Sequence, residues 1–441
     1  MMGSEGIENQ PGVLRALAVR AAVFVVAAIV ACLVLPAAAQ AAVYDTDMVG
    51  NIVLSKNAQV KEEAPDVAAG YGGVVTSDGK VLWLRDAHSK VPMASTTKIM
   101  TAVVVLEQGS LDDRITVSEN AATIGGSTAY LVEGDALSMQ DMLYAMMLPS
   151  GNDAATALAE HYGGSEGEDG FVGLMNEKAA ALGMSNTHFS SPTGLDDEGN
   201  YTTVADYLKL VDAAMGNKTF EQVVSTSTFS YTSSQRGYDI DLESTNLLLG
   251  DYEGMLGIKT GFTDAAGYCF IGAARRGDIT LYTVVFDSSD DWQRFADTQT
   301  LLDWGFEHYH KVTLLDTETV VGNAVDTDWL DKTVPVVAAE PVALTVFDYD
   351  PDITQTVELN NRGGIERGIR MGSVTWTRGE DELATVNLVS SVDIAPPDIL
   401  QSMQIGWTKF ASFFTGDKIS VEQSVDLAPE YKLIGAYGKA A

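Results

Sequence analysis

The chain has 441 residues, a formal net charge of −34 and 46% hydrophobic residues, the composition of a folded globular protein and not of a disordered or fibrous one. With 27 Lys and Arg against 61 Asp and Glu, there is too little positive charge to build a phosphate-binding face, so nucleic acid is excluded as a partner. Only Cys32 and Cys269 are present, which excludes a disulfide framework and a cysteine-based metal site.

In chain order, Arg15 and Arg20 precede the apolar run AAVFVVAAIVACLVLPAAAQAA, which closes in small residues suited to signal peptidase. Residues 1–41 therefore read as a secretory signal peptide or, uncleaved, as an N-terminal anchor, since a run of about 20 apolar residues can span a bilayer. A lipoprotein box ending at Cys32 fits less well, because apolar residues continue to Leu35. Each reading places the protein outside the cytoplasm, secreted or membrane-attached. Removing the segment leaves the acidity intact, as it carries two Glu and two Arg. The about 400 residues that follow are too many for one ordinary domain.

GYGGVVTSDGKVLWLRDA alternates apolar and polar residues around Asp78-Gly79 and reads as a β-hairpin over residues 72–85. After Pro92 the period changes: STTKIMTAVVVLEQG reads as a buried helix over 94–107, stopped by Gly109. A helix follows at LSMQDMLYAMML, with Ser138 and Asp141 as a capping box, and another at DAATALAEHYG, the two separated by PSGN. GFVGLMNEKAAALGM continues the helical region, GMLGIKTGFTDAAGYCFIGAARRGDITLYTVVF reads as strands with turns, and DWQRFADTQTLLDWGFEHY returns to helix. Helices gathered between strands predict a three-layer α/β arrangement around an antiparallel sheet. Beyond His310, short Val- and Thr-rich strands with NNRGGIERG as a turn read as a small all-β domain. DILQSMQIGWTKFASFF then places Ile399, Leu400, Met403, Trp407, Phe410 and Phe414 at helical spacing, either packing against the body or lying on a membrane surface.

Three short elements carry chemistry. Ser95 and Lys98 lie at i and i+3 and so share one helix face. A serine needs a base to become a nucleophile, and a lysine serves if burial or a neighbouring cation depresses its pKa; the helix start adds N–H groups and a positive dipole end. SxxK alone is weak, occurring by chance about once in a chain of this length. Ser77 and Lys80 match as well, but they straddle a Ser-Asp-Gly turn. The second element, Ser150-Gly151-Asn152, is equally weak as a triplet, since SxN recurs at Ser55, Ser118 and Ser244. Its setting distinguishes it: a polar loop between two apolar helices. The third, Lys259-Thr260-Gly261, lies in an expected strand, where Gly admits a substrate backbone, Lys supplies a cation and Thr a hydroxyl for a carboxylate.

In order, SxxK, SxN and KTG on helix, inter-helix loop and strand resemble the signature set of penicillin-binding proteins and serine β-lactamases. The longer segments LPSGNDAATALAEHYGG, MNEKAAALGMSNTHFSSPTGLD and GIKTGFTDAAGYCF resemble the low-molecular-mass D-alanyl-D-alanine carboxypeptidases of the penicillin-binding protein 5 type, peptidase family S11. The resemblance covers about residues 50–310 strongly, and the β region to about residue 395 is similar to that family's C-terminal domain. It departs in two places: NYTTVADY lacks a histidine often seen there, and the tail from Gly416 is acidic where a basic anchor is common.

The resemblance implies a β-lactamase/transpeptidase-like domain at 42–310, an antiparallel sheet with helices on both sides, followed by a small all-β domain at 311–397 and an amphipathic helix with an acidic tail at 398–441. It implies that Ser95 attacks the carbonyl between two terminal D-alanines of a peptidoglycan stem peptide, with neutral Lys98 taking its proton. Ser150 relays a proton to the leaving nitrogen, Asn152 orients Lys98 and the substrate, Lys259 with Thr260 receives the terminal carboxylate, and Gly261 admits the substrate backbone. The backbone N–H groups of Ser95 and Phe262 hold the oxyanion. β-Lactam antibiotics should form the same ester and stall; no cofactor and no metal is implied. A class A β-lactamase lacks the second domain and carries an Ω-loop ExxLN that is absent after Ser150. An endopeptidase or transpeptidase of the same fold remains an alternative, as does a wall-binding protein without turnover, although neither Ser95 nor Lys98 is lost. The five His sit in no metal-ligand spacing, and His161 and His188 read as structural. DYDPDITQTVEL from Asp348 imitates a calcium loop but lacks the required Gly and Glu, so it reads as surface acidity.

Overall fold

The computed structural model describes residues 47–416, 418 and 421–432; the expected leader or anchor at 1–41 and Cys32 lie outside them. Two short strands, β1 (Met48–Val49) and β2 (Ile52–Val53), precede helix α1 (Ala58–Glu63). The expected hairpin is β3 (Tyr71–Thr76) and β4 (Val81–Arg85), joined by residues 77–80 with Gly79 at φ +86°. Past Pro92 the chain enters a 3₁₀ turn, Ala94–Thr97, before α2 (Lys98–Gln108), so Ser95 stands on the turn and Lys98 opens the helix.

Strand β5 (Arg114–Thr116), helix α3 (Glu119–Thr123) and strand β6 (Ala136–Ser138) lead into α4 (Met139–Met147). Ser138 caps α4 by accepting from the Asp141 amide at 3.1 Å. The expected reciprocal bond is replaced: the Ser138 hydroxyl donates to the Asp141 carboxylate at 2.7 Å. The helical layer continues with α5 (Asn152–Tyr162), α6 (Glu168–Ala181), α7 (Val204–Met215) and α8 (Lys218–Val224). Helices α7 and α8, and the hairpin of β7 (Thr228–Thr232) and β8 (Asp239–Glu243), are not among the elements expected from sequence. The long strands β9 (Met255–Thr263), β10 (Gly267–Arg276) and β11 (Ile279–Ser288) come next, then α9 (Gln293–His308).

Seven strands form one antiparallel sheet in the order β2-β1-β4-β3-β11-β10-β9, which leaves β9 on an edge. Both faces are buried because side chains alternate along each strand. On β10, Cys269, Ile271 and Ala273 face a core shared with α2, α4, α5 and α7, where Met100, Leu143, Leu158 and Tyr207 pack. Phe270 and Ala274 face the other core, under Leu301 and Leu302 of α9. This is the three-layer antiparallel architecture that the sequence pattern predicts.

The remaining strands are β12 (Tyr309–Leu315), β13 (Gly322–Val325), β14 (Thr333–Ala338), β15 (Val342–Phe347), β16 (Ile353–Leu359), β17 (Arg370–Arg378) and β18 (Asp381–Ser390). They enclose a separate core around Val334, Val336, Trp376 and Leu388. The unit is anchored to the first body by stacking and by charge. Tyr349 stacks on Trp304 with centroids 5.8 Å apart, and Asp350 accepts from both Lys80 and Arg378 at 2.8 Å. Asp348 is buried against His308 at 3.1 Å. The acidic DYDPD run is thus an inter-domain anchor, which corrects its reading as surface acidity.

Helix α10 (Ile399–Thr415) starts at a full capping box between Asp398 and Gln401 and ends at Gly416 with φ +73°. None of its residues is buried, so the face expected to pack or to meet a membrane does not pack against the body. The chain then returns: β19 (Ser424–Val425) pairs with β13 and β20 (Glu430–Tyr431) with β16, at opposite edges of the sheet β19-β13-β14-β18-β17-β16-β20. What the sequence offers as an acidic tail is in part a clasp on the β unit.

Candidate active site

The site lies where the Ala94–Thr97 turn, the loop before α5 and the edge strand β9 converge. Two residues there hold backbone conformations that L side chains rarely adopt, Ala94 at φ +47° and Ser150 at φ +67°. Ala94 directly precedes Ser95, and Ser150 is the first residue of the SxN triplet. Gly261 explains how the strand approaches so closely. A Cβ there would sit 3.2 Å from the Ser95 amide and 3.1 Å from that of Thr96, so only glycine keeps the space beside the serine open.

Lys98 is fully buried. Its Nζ lies 2.9 Å from Ser95 Oγ, 2.6 Å from Asn152 Oδ1 and 2.7 Å from the Thr193 carbonyl oxygen. The last two neighbours are acceptors only, since Asn152 uses its Nδ2 to donate to the Gly125 carbonyl at 2.7 Å. A neutral amine has two N–H bonds and one lone pair. With both N–H bonds engaged, the lone pair is left for the hydroxyl of Ser95. Electrostatics agree: burial first, and the positive charge of Lys259 second, lower the Lys98 pKa well below its ordinary value, while Asp153 opposes them.

Lys259 is likewise buried, and burial together with the neighbouring Arg294 pushes its pKa down to about 7. It donates to the Thr260 carbonyl at 3.1 Å. The Thr260 and Thr245 hydroxyls are 2.6 Å apart. Arg294, from the start of α9, donates to the Gly261 carbonyl at 3.1 Å and is paired with Asp291. The Ser150 hydroxyl is buried with no partner among the described residues, a donor and acceptor left for something outside the chain. Phe262 is half-exposed, its ring against Tyr268 at 4.4 Å.

All eight sequence-selected residues, Ser95, Lys98, Ser150, Asn152, Lys259, Thr260, Gly261 and Phe262, therefore fall in one region. Sequence reasoning misses Thr193, which acts through a backbone carbonyl and so leaves no side-chain signal, Thr245, and Arg294, which appears as one more charge on an amphipathic helix. A cleft of about 350 Å³ walled by Pro92, Leu195 and Ala265 opens beside Ala94 and Gly194. Another, of about 500 Å³, opens beside Pro149 and Thr245. A larger cavity of about 580 Å³, lined by Leu54, Trp83 and Arg85, lies toward the far edge of the sheet and holds none of these groups. No trio of His, Cys, Asp or Glu among the described residues is placed to hold a metal. His161 packs edge-on against Tyr162, and His188 bonds through Nδ1 to the Gly199 carbonyl at 2.6 Å.

A buried lysine of lowered pKa lying 2.9 Å from a serine hydroxyl, a buried hydroxyl without a partner among the described residues, and a cation with a threonine hydroxyl on the adjoining strand are groups suited to acyl transfer from a substrate bearing a carboxylate. Known proteins are similar to this chain in sequence and in fold. The family model for D-alanyl-D-alanine carboxypeptidase, peptidase S11, matches residues 58–290. D-alanyl-D-alanine carboxypeptidase DacF of Bacillus subtilis is 29% identical over 344 residues, covering 75% of this chain and 88% of that protein. Among solved structures, the Streptomyces K15 DD-transpeptidase aligns with a TM-score of 0.53 at 36% identity, covering 55% of this chain and 98% of its own. The D-alanyl-D-alanine carboxypeptidase DacD of Francisella tularensis aligns with a TM-score of 0.56 at 26% identity, covering 75% and 95%.

Proposed function

Because the chain belongs to the D-alanyl-D-alanine carboxypeptidase family, peptidase S11, we propose that it removes the terminal D-alanine from peptidoglycan stem peptides through an acyl-enzyme on Ser95. The observation that carries this is the Lys98 amine, held by two acceptors so that its lone pair is left for Ser95 Oγ at 2.9 Å.

Ser95 Oγ attacks the carbonyl carbon of the penultimate D-alanine while its proton passes to Lys98. The oxyanion takes hydrogen bonds from the Ser95 and Phe262 backbone N–H groups. As the C–N bond breaks, Ser150 passes a proton to the leaving nitrogen and D-alanine departs. Lys259 with Thr260 holds the terminal carboxylate, Gly261 leaves room for the substrate backbone, and Asn152 keeps Lys98 aligned. Water, deprotonated by Lys98, then cleaves the ester and restores the serine. A penicillin forms the same ester, but its leaving group stays tethered and blocks water.

The catalytic unit is assigned to residues 42–310 and the β unit to 311–397, as a spacer from the membrane. Action on peptidoglycan requires an extracytoplasmic location, and the segment at 1–41 supplies the export signal. No helix among the described residues is long and apolar enough to cross a membrane. The unpacked apolar residues of α10 support attachment along the membrane surface instead. A second reading, endopeptidase or transpeptidase action, is favoured by the cleft of about 500 Å³ beside Pro149, which gives room for a leaving group or acceptor longer than D-alanine.

The test incubates the protein from residue 42 with a fluorescent penicillin and with a D-Ala-D-Ala peptide, beside Ser95→Ala. Labelling lost in the variant, with free D-alanine released by the wild type, supports the carboxypeptidase. Labelling with release only from cross-linked peptides shifts the assignment to the endopeptidase, and no labelling rejects both.

A further inference from the structure

Asp153, the second residue of α5, is almost fully buried. Every hydrogen bond to its carboxylate among the described residues comes from a neutral donor. Oδ1 accepts from the Ala154 amide at 2.9 Å, both oxygens from the Ala129 amide at 3.0 Å, and Oδ2 from the Leu131 amide at 3.1 Å and the Thr128 hydroxyl at 2.6 Å. This all-donor shell is the complement of an anion, because a protonated acid would need an acceptor. The first turn of a helix adds a favourable dipole. The carboxylate satisfies buried N–H groups of Ala129 and Leu131 that an apolar side chain would leave without an acceptor.

Two things depend on it. The first is geometric. The loop that Asp153 pins, residues 125–131, accepts from Asn152 twice, through the Gly125 carbonyl at 2.7 Å and the Ser127 carbonyl at 2.8 Å. Gly126, at φ +87°, brings that loop so near Asn152 Nδ2 that a Cβ would sit 2.7 Å from it. Fixing the loop therefore fixes the Asn152 amide that holds Lys98. The second is electrostatic. The groups facing this region are Lys98 from α2, Lys259 from β9 with Arg294 behind it, and Tyr231 from β7, whose phenol is pushed up by burial first and then by Asp135 and Asp153. Acylation creates an ammonium on Lys98 beside Lys259.

We infer that Asp153 is a positioning residue for acylation: its carboxylate pins the 125–131 loop that holds Asn152 on Lys98, and its charge offsets the ammonium that forms when Lys98 takes the Ser95 proton. This rests on the carboxypeptidase reading of Ser95 and Lys98. The proton balance is that of the acylation step itself: it leaves Ser95 Oγ, resides on Lys98 Nζ and departs with the leaving group, and Asp153 neither gains nor loses one.

The test measures the second-order rate of labelling by a fluorescent penicillin from about pH 4.5 to 9 in the full-length mature protein. Asp153→Asn keeps the size and removes the charge. The plateau should fall about tenfold or more, within the range for a misaligned general base. Losing a neighbouring anion makes the Lys98 ammonium less favourable, so the acid limb should move to lower pH by about half a unit or more. A side chain that only supports the fold lowers the plateau and leaves the limb in place; an unmoved limb, or one moved upward, overturns the proposal. If Asp153→Asn does not fold, Thr128→Val removes one donor and keeps the charge. It should slow labelling several-fold at every pH without moving the limb, and an unchanged rate removes the clamp. Should the wild type itself not label, or should Ser95→Ala label equally, the fault lies with the reading of Ser95 and not with Asp153.

Discussion

Lys98 Nζ donates to the backbone carbonyl of Thr193 at 2.7 Å, a contact made by the main chain and not by the threonine side chain. Together with Asn152 Oδ1 it occupies both N–H bonds of a neutral amine and leaves the lone pair to Ser95. Burial and the neighbouring charge of Lys259 lower the Lys98 pKa and so favour this uncharged form, and several consequences can be measured.

Replacing Lys98 by arginine retains a long cation but removes the base, because a guanidinium does not deprotonate in a protein. Penicillin labelling should fall by about 10²–10⁴-fold, the usual contribution of a general base. Labelling within tenfold of wild type by a variant with an unchanged melting curve would show that another group takes the serine proton.

The pH dependence should be bell-shaped, with two lysines of opposite requirement. Lys98 must be neutral, so activity rises with pH through its depressed pKa. Lys259 must be charged to hold a carboxylate, so kcat/KM falls as pH rises through about 7 in the free enzyme. Burial is the larger cause of that depression and Arg294 the second, so Arg294→Met should shift the alkaline limb to higher pH. Profiles of kcat/KM on a D-Ala-D-Ala peptide decide this. An alkaline limb indifferent to Arg294 would contradict the assignment of Lys259.

Gly261→Ala probes the approach of β9 to the nucleophile. The new Cβ would lie 3.1 to 3.2 Å from Thr96 N, Ala94 Cβ and Ser95 N, so the turn or the strand must give by a few tenths of an ångström. Displacement on that scale acts on reactive geometry more than on folding. The rate of labelling should drop about tenfold or more while the melting temperature moves by only about a few degrees. Equal labelling by the variant would argue that the oxyanion is not held beside the Ser95 amide.

Ser95, Lys98, Ser150, Asn152 and Lys259 are legible in the sequence because each is a side chain at a short fixed spacing, on or directly beside an element whose apolar period is strong. Thr193, Arg294 and Asp153 are not. Thr193 contributes a carbonyl, and Arg294 and Asp153 are charges on helices whose partners lie far off in the chain, Gly261 for one and the 125–131 loop for the other. Asp350 fails for the same reason, since nothing local announces Lys80 and Arg378. The fold class follows from apolar periodicity on both faces of the sheet. Strands β19 and β20, of two residues each, are too short to carry any period.

Those two strands separate the fate of the β unit from that of α10. Ile399, Leu400, Met403, Trp407, Phe410, Phe413 and Phe414 are all exposed, so replacing Trp407, Phe410, Phe413 and Phe414 by serine removes little buried apolar area and should leave the melting temperature nearly unchanged. Truncation after Gly416 leaves α10 in place but uncovers β13 and β16 as open edges, and should destabilise the β unit and promote aggregation. Vesicle binding should show the reverse pattern, lost in the quadruple variant and kept in whatever truncated protein remains folded. The helix carries one basic residue, Lys409, which is turned to the Thr327 carbonyl at 3.4 Å, so the proposed attachment through α10 would be driven by apolar insertion and not by charge. Binding to zwitterionic vesicles should accordingly match binding to anionic ones and persist in salt. Binding that requires anionic lipid would count against attachment through the apolar face of α10.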